Sequence, residues 1–245
     1  MGANRSAAVM QQRRKKLAGI PRELDYFPTP PFAVRAICEA LERELGSLKF
    51  LDAWEPACGE GHMALALLEH FHSVRLSDVV RYELREDLRV ALAEHELIDF
   101  TMESGSERSD VIFSNPPFNL AHDFIEAGLR TARKAVVMIV RQAFLEGEER
   151  YKRLWSILPP TFVFQFAERV VMLEGRLIQS GTIDPFAEKE GTKASTATSY
   201  VGLVWISGRS SETVYRWIPP SRRRLEKPGD YPSYLAEALG MEQAA

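Results

Sequence analysis

Apolar residues recur along the first 140 positions of this chain at two alternating spacings. After Thr29-Pro30-Pro31, the residues Val34, Ile37, Leu41 and Leu45 fall at helical intervals; proline suits a first turn, and Gly46 is a natural stop. Phe50-Leu51-Asp52-Ala53-Trp54 then reads as a strand, Glu55 to Gly61 as a tight glycine-containing loop, and Met63 to His70 as a helix. Ser73 to Ser77 forms a second strand ending at Asp78, and Leu84, Leu88 and Leu92 mark another helix. Leu97-Ile98 is a short third strand, Asp110 to Ser114 a fourth, and Ala135 to Val140 a strongly apolar fifth after a helix over about 120–131. Strand alternating with helix predicts a doubly wound, mostly parallel α/β sheet covered on both faces. The pattern then changes. Phe162 to Phe166 and Tyr200 to Ile206 are strands with no helix between them, expected to pair antiparallel at the sheet edge.

This organisation divides the chain into a basic arm over 1–25, a main domain over 26–210 and a C-terminal extension over 211–245. Within the main domain, the polar stretch 174–198 is rich in Gly, Thr, Ser and Lys. So long a stretch without a helix or strand of its own is functional or disordered. The 245 residues are 45% hydrophobic and 27% charged with net charge -3, so overall charge gives no argument for a nucleic-acid partner. Two local basic clusters, Arg13-Arg14-Lys15-Lys16 and Arg222-Arg223-Arg224, read equally as solvated segments or phosphate contacts. Cys38 and Cys58 fit neither a disulfide framework nor a zinc set. With no apolar run near the ~20 residues of a membrane span, a reduced, cytoplasmic setting is expected.

The candidate chemistry concentrates where the fourth strand ends, at Asn115-Pro116-Pro117-Phe118. Two prolines cannot continue a ladder, so the turn has a fixed shape and free carbonyls. The Asn115 amide oxygen and the Pro116 carbonyl can both accept from one NH2 group while Phe118 stacks on the ring that carries it. The combination suits a planar amine; a strand-ending turn with a core phenylalanine is the plainer alternative.

A second cluster follows the first strand. In Glu55-Pro56-Ala57-Cys58-Gly59-Glu60-Gly61, the glycines let backbone approach a ligand at a helix N-terminus. Gly59, Gly61 and Ala64 also match a dinucleotide fingerprint, with Asp78 near the position of a ribose-binding acid, so NAD is the local alternative. Glu55 argues for a cationic amino group over a pyrophosphate. S-adenosylmethionine, with an ammonium, a sulfonium and a ribose but no phosphate, fits better, and Asp78 would accept from its ribose hydroxyls.

With these motifs in this order, the chain resembles amino-methylating DNA methyltransferases, especially small phage-type adenine-N6 enzymes, over roughly residues 26–206. The resemblance implies the Rossmann-like class I methyltransferase fold, S-adenosylmethionine as cofactor, and double-stranded DNA with a flipped adenine as substrate, in a phage, prophage or restriction-modification setting. An aromatic-x-Thr-Pro segment that helps hold the cofactor reads here Phe27-Pro28-Thr29-Pro30. The acid-Pro-x-x-Gly-x-Gly loop is Glu55 to Gly61, including Pro56, Ala57, Gly59 and Gly61, and the ribose acid is Asp78. Asp99-Phe100 matches the pair beside the cofactor adenine, and Asn115-Pro116-Pro117-Phe118 the catalytic tetrapeptide. Many relatives end that tetrapeptide in tyrosine; Phe118 stacks but cannot donate a hydrogen bond.

Phosphate contacts are expected from Arg13, Arg14, Lys15 and Lys16, from Arg222, Arg223 and Arg224, and from Arg176, Lys189 and Lys193 of the polar stretch. The histidines, His62 and His122 among them, read as structural or surface, and no metal-ligating constellation is visible. Other readings keep the turn and change the substrate to cytosine N4, RNA guanine N2 or protein glutamine, or make the chain a non-catalytic DNA-binding protein.

Overall fold

The computed structural model describes residues 25–91, 95–209 and 212–234. The expected arm over 1–25, with Arg13 to Lys16, lies outside them except for Asp25, as does Leu92.

Helix α1 (Pro31–Leu45) begins at a proline and buries Val34, Ile37 and Leu41, as its spacing predicts. Leu48–Phe50 then turns as a 3-10 helix, which ejects Phe50 to 84% exposure and starts β1 (Asp52–Glu55) two residues later than the apolar run suggests. The remaining alternation follows in order: α2 (His62–His70), β2 (Ser73–Asp78), α3 (Glu86–Ala91), β3 (Glu96–Leu97), β4 (Ser109–Ser114), α4 (Ala121–Thr131) and β5 (Ala132–Arg141). Strands β6 (Phe162–Phe166), β7 (Tyr200–Ile206) and β8 (Val214–Ile218) complete one sheet of order β3-β2-β1-β4-β5-β7-β6-β8. Among these strands only β7 runs antiparallel to its neighbours, pairing with β5 and β6. The eighth strand, in the segment taken as an extension, covers β6 and leaves β7 inside the sheet. Its residues 214–217 are exposed, so it carries no alternating pattern of burial for the sequence to announce.

Two apolar layers flank the sheet. Phe32, Ile37, Leu41 and Leu67 of α1 and α2 pack on one face with Val137, Phe164 and Val204; Phe124 and Ile125 of α4 pack on the other with Ile112, Met138 and Leu203. The polar stretch 174–198 has a small core of its own, because Ile178, Phe186 and Ala194 converge with Val171 and with Tyr234 from the C-terminal segment. Phe186 meets Tyr234 edge-on at 4.9 Å, and the Tyr234 hydroxyl accepts from Leu177 N at 3.0 Å. Among the described residues no helix is long and apolar enough to cross a membrane.

A short helix α5 (Arg222–Leu225) and the residues after it are tied back to the helical layer by Arg35. This guanidinium, 2% exposed, binds Asp230 at 2.7 and 2.8 Å, Glu69 of α2 at 2.7 and 2.9 Å, and the Leu225 carbonyl at 2.7 Å. Burial alone would ease its proton off, yet the two carboxylates hold its pKa above the ordinary arginine value. Removing the cation strands Asp230, itself 1% exposed, without its partner. Arg35→Ala is expected to cost about 3–5 kcal/mol. A doubly apolar Arg35→Met/Asp230→Leu chain, with both charges gone, should recover most of it. Urea unfolding of the three proteins checks this; equal stability of the single and double variants would contradict it.

Candidate active site

The strand order reverses between β1 and β4, and a crevice opens at their carboxyl ends. A cavity of about 320 Å3 fills it. Glu55, Pro56 and Ala57 line it from β1, Asp78 from β2, Asp99 and Phe100 from the β3 connection, Asn115 and Pro117 from the turn after β4, and Phe27 and Thr29 from the segment before α1. Pro30, Gly59, Gly61, Pro116 and Phe118 do not line it. Tyr26, Cys58, His62, Met63 and Tyr82 are further lining residues that the motifs do not assign to the site.

The glycine loop is held by its own hydrogen bonds. Cys58 N donates to the Ser77 carbonyl at 3.1 Å, Gly59 N to Asp78 Oδ2 at 2.9 Å, and Gly61 N to the Cys58 carbonyl at 2.8 Å. Glu60 N reaches the Tyr26 hydroxyl at 3.4 Å. Gly59 and Gly61 have φ of +53° and +85°, and a Cβ would lie 2.4 Å from Tyr26 at one and from Leu88 at the other, so only glycine fits either position. Amides already spent inside the loop are not displayed to an anion, unlike those of a pyrophosphate cradle.

Instead the crevice presents two buried carboxyl groups. Glu55 is 1% exposed, its Oε2 is buried with no hydrogen bond, and burial followed by the charge of Asp78 raises its pKa well above the ordinary value. Burial also raises Asp78, against hydrogen bonds from the Gly59, Val80 and Val79 amides. Two coupled carboxylates, one with an unpartnered oxygen, suit a guest carrying an ammonium or a pair of hydroxyls. At the far wall Asp99 Oδ1 caps Thr101, accepting from its amide at 3.1 Å and its hydroxyl at 2.6 Å. Phe100 stands edge-on to Trp54 at 5.1 Å and offers an apolar surface to a flat ring. His62 is buried, with Nε2 3.1 Å from Glu60 and Nδ1 3.4 Å from Arg85.

The Asn115 amide is clamped on one side only. Its Nδ2 donates to the Phe27 carbonyl at 2.8 Å and to Thr29 Oγ1 at 2.9 Å, with Met172 sulfur at 3.7 Å. Its Oδ1 is buried and accepts nothing. The Phe27 and Thr29 segment, expected to hold a cofactor, thus also fixes which way this amide faces. The Pro117 carbonyl accepts from Leu120 N, while among the described residues the Pro116 carbonyl takes no hydrogen bond. Phe118 packs against Phe27 at 5.1 Å and beneath the Arg141 guanidinium, 3.5 Å from the ring centroid.

The candidate phosphate-binding residues divide into two groups. Arg176 is ion-paired to Asp184 at 2.8 Å, Arg224 to Glu39 at 2.6 Å, and Arg222 lies 3.7 Å from Glu226, so each of these three cations already has an acidic neighbour. Lys189, Lys193 and Arg223 are exposed. Arg141 and Met172 had no signal in the motifs; the one trace of Arg141 is a charge closing the apolar run of β5.

No protein-family model matches the chain, and no curated protein does. Solved structures do. The modification subunit of a putative type I restriction enzyme from Vibrio vulnificus YJ016 is similar with a TM-score of 0.53 and 15% identity, over 93% of this chain and 54% of that one. The type I restriction-modification methyltransferase subunit from Streptococcus thermophilus gives a TM-score of 0.53 and 10% identity, over 88% and 51%. A putative hemolysin from Lactococcus lactis gives 0.50 and 10%, over 76% and 91%. The chain spans about half the length of the two restriction subunits. At these identities the likeness is one of fold, the Rossmann-like sheet of class I methyltransferases.

The buried acid makes a prediction that needs no ligand. A carboxyl raised in the folded state keeps its proton there after the unfolded chain has lost it, so folding stability falls as pH rises above about 4.3, the ordinary glutamate value. Glu55→Gln removes the charge. Its melting temperature should match that of the parent near pH 4 and exceed it increasingly toward pH 8. Parallel curves for the two proteins would mean that Glu55 is not the buried charge described here.

Proposed function

We propose that this chain is an S-adenosylmethionine-dependent DNA methyltransferase acting on the exocyclic N6 of adenine, taken out of the duplex. The observation that carries the reading is the half-satisfied Asn115 amide. Its donor is tied down, its acceptor is buried and empty, and it shares a cavity with the Glu55 carboxyl, whose Oε2 is likewise unpartnered.

The residues present fit the cofactor. Glu55 would hold the ammonium, Asp78 the ribose hydroxyls through lone pairs its amide partners leave free, and Phe100 and Asp99 the adenine. Bound there, S-adenosylmethionine supplies a methyl group made electrophilic by its sulfonium. The loop amides, engaged within the protein, favour this ligand over NAD.

The protein's own part is to prepare the amine. Its lone pair is delocalised into the ring, which makes it a poor nucleophile. Accepting its two protons at Asn115 Oδ1 and the Pro116 carbonyl draws the nitrogen toward tetrahedral geometry and frees the lone pair. Phe27 and Thr29 keep Oδ1, not the NH2, facing the substrate. Positioning of this kind supplies on the order of 7–11 kcal/mol. The methylated nitrogen is acidic and sheds its proton without a strong base, so His62 needs no catalytic role. Phe118 replaces part of the stacking lost on flipping, which costs a few kcal/mol. Exposed Lys189, Lys193 and Arg223 would meet phosphates, together with Arg13 to Lys16. DNA as substrate is supported by the tetrapeptide with its Phe27-Pro28-Thr29-Pro30 companion, and by the likeness of fold to two type I restriction-modification subunits.

Asn115→Ala is expected to keep its fold and cofactor affinity and to lose turnover by on the order of 100-fold or more. Labelled-methyl transfer with DNA, RNA and protein, followed by digestion to nucleosides and mass identification, should yield N6-methyladenine. Modified cytosine would overturn the base assignment, and a fully active Asn115→Ala the mechanism. Thr29→Val leaves the amide one acceptor short and tests the clamp separately. It should lower kcat by roughly tenfold or less, the worth of one neutral hydrogen bond, with cofactor affinity held.

A further inference from the structure

The carboxyl end of β5 carries a cation that the function proposed above leaves without a task. Arg141 pairs across the ladder with Tyr200 of β7 and is half-buried. Its guanidinium lies 3.5 Å from the Phe118 ring centroid and 5.3 Å from that of Phe27. Its Nε is buried and makes no hydrogen bond, and among the described residues no carboxylate pairs with it. Arg35 and Arg176, by contrast, each hold a carboxylate. Arg141 has surrendered hydration and received in return the face of a ring and the phenol of Tyr200, whose pKa burial raises and Arg141 opposes. That ring belongs to the tetrapeptide, and Phe27, tilted at 5.1 Å, already packs against it.

We infer that Arg141 is a placeholder for the target base: its guanidinium occupies the face of Phe118 on which the base stacks, and base entry displaces it. The inference rests on the proposed DNA-methylating function. A guanidinium is planar and delocalised, so it covers an aromatic face much as a base does. A cation over a ring and a base over a ring attract with comparable strength, which leaves the exchange near balance. What decides it is the rest of what the newcomer binds. A base with an exocyclic amine gains the two empty acceptors, Asn115 Oδ1 and the Pro116 carbonyl. A base without one leaves them unpaired and has nothing to set against the loss of Arg141. The contact thereby keeps Phe118 covered in the resting enzyme and sharpens selection for an amine. It also lowers apparent affinity, because only molecules with Arg141 swung aside admit the base.

The test uses heat-denatured, unmodified genomic DNA, in which the base is already unpaired and seating alone is measured. Full-length wild type, Arg141→Ala, Phe118→Ala and the double variant are compared in labelled-methyl transfer, with melting temperature and cofactor affinity as controls. Arg141→Ala should lower the KM for DNA about three- to tenfold, by restoring the competent fraction, with kcat within about twofold and cofactor affinity unchanged. In the Phe118→Ala background the same change should give no gain. Should Arg141→Ala fail to fold, Arg141→Lys, which keeps stem and charge but not the plane, carries the same expectation of a lower KM. A KM that rises or stays put, or a gain that persists without Phe118, overturns the inference. So does a fall in melting temperature with KM unmoved, which makes Arg141 structural. If wild type transfers no methyl to DNA, the function falls and the inference with it. If wild type transfers and the variant's KM is not lowered, the inference alone falls.

Discussion

The reversal of strand order between β1 and β4 is the constraint from which the rest follows. The chain leaves β1 for α2 and β2 on one side, and leaves β4 for α4 and β5 on the other. Connections that diverge cannot cover the ends of the strands they leave, so a crevice must open there. The residues at those ends are Glu55 and Asn115, which close β1 and follow β4. Neither has a ladder partner to satisfy its side chain, and both keep a buried oxygen with no hydrogen bond.

Buried polar atoms without partners are uncommon in a folded protein, and each calls for a reason. Here four of the six such side chains among the described residues, Glu55, Ser114, Asn115 and Arg141, lie at the same end of the sheet. Glu55 and Asn115 offer acceptors, Arg141 a donor, and the Ser114 hydroxyl either. Acceptors without donors suit a guest that brings protons: in the proposed enzyme, an ammonium for one and an exocyclic amine for the other. The folded state bears the cost of keeping them open, and Glu55 shows it most directly, its pKa raised by burial and by Asp78. The Arg35 cluster shows the opposite solution. There a buried cation is surrounded by two carboxylates and a carbonyl, so its charge is compensated within the fold.

Most of the sheet was legible because its strands are buried on both faces and so read as apolar runs between helical periods. β7, buried along its whole length, and β5, buried from Ala135 to Val140, announced themselves. β8 did not, because an edge strand with four of five residues exposed has no pattern to read. The core of 174–198 was hidden for a different reason. Three apolar residues eight apart have neither helical nor strand period, and they become a core only when Tyr234 arrives from far along the chain. In the site, the motif residues with local backbone roles were readable: Gly59 and Gly61 by type, Asp78 by its place at a strand end. What could not be read was partnership. Arg176, Arg222 and Arg224 look like free cations in sequence and are joined to acids: Arg176 and Arg222 to Asp184 and Glu226 nearby in the chain, Arg224 to Glu39 brought in from α1. Arg141 looks like the end of a strand and lies across the tetrapeptide.

The segment Tyr26 to Thr29 then acquires a meaning that its motif alone does not convey. It lines the cavity on one side and clamps Asn115 on the other, so the cofactor wall and the amide of the proposed reaction share a backbone. The same segment is fastened from a third direction, since Gly175 N donates to the Tyr26 carbonyl and Met172 sulfur meets both Thr29 and Asn115. Anything that shifts this strip moves the wall and the amide together. In the proposed enzyme, seating the cofactor against Tyr26 to Thr29 therefore also restrains Asn115. The polar stretch beginning at Glu174, whose exposed Lys189 and Lys193 are candidates for phosphate, is anchored to the same strip. In the proposed enzyme, cofactor, target amine and DNA backbone would all bear on this one four-residue piece of chain, so its rigidity helps set how well the three are aligned.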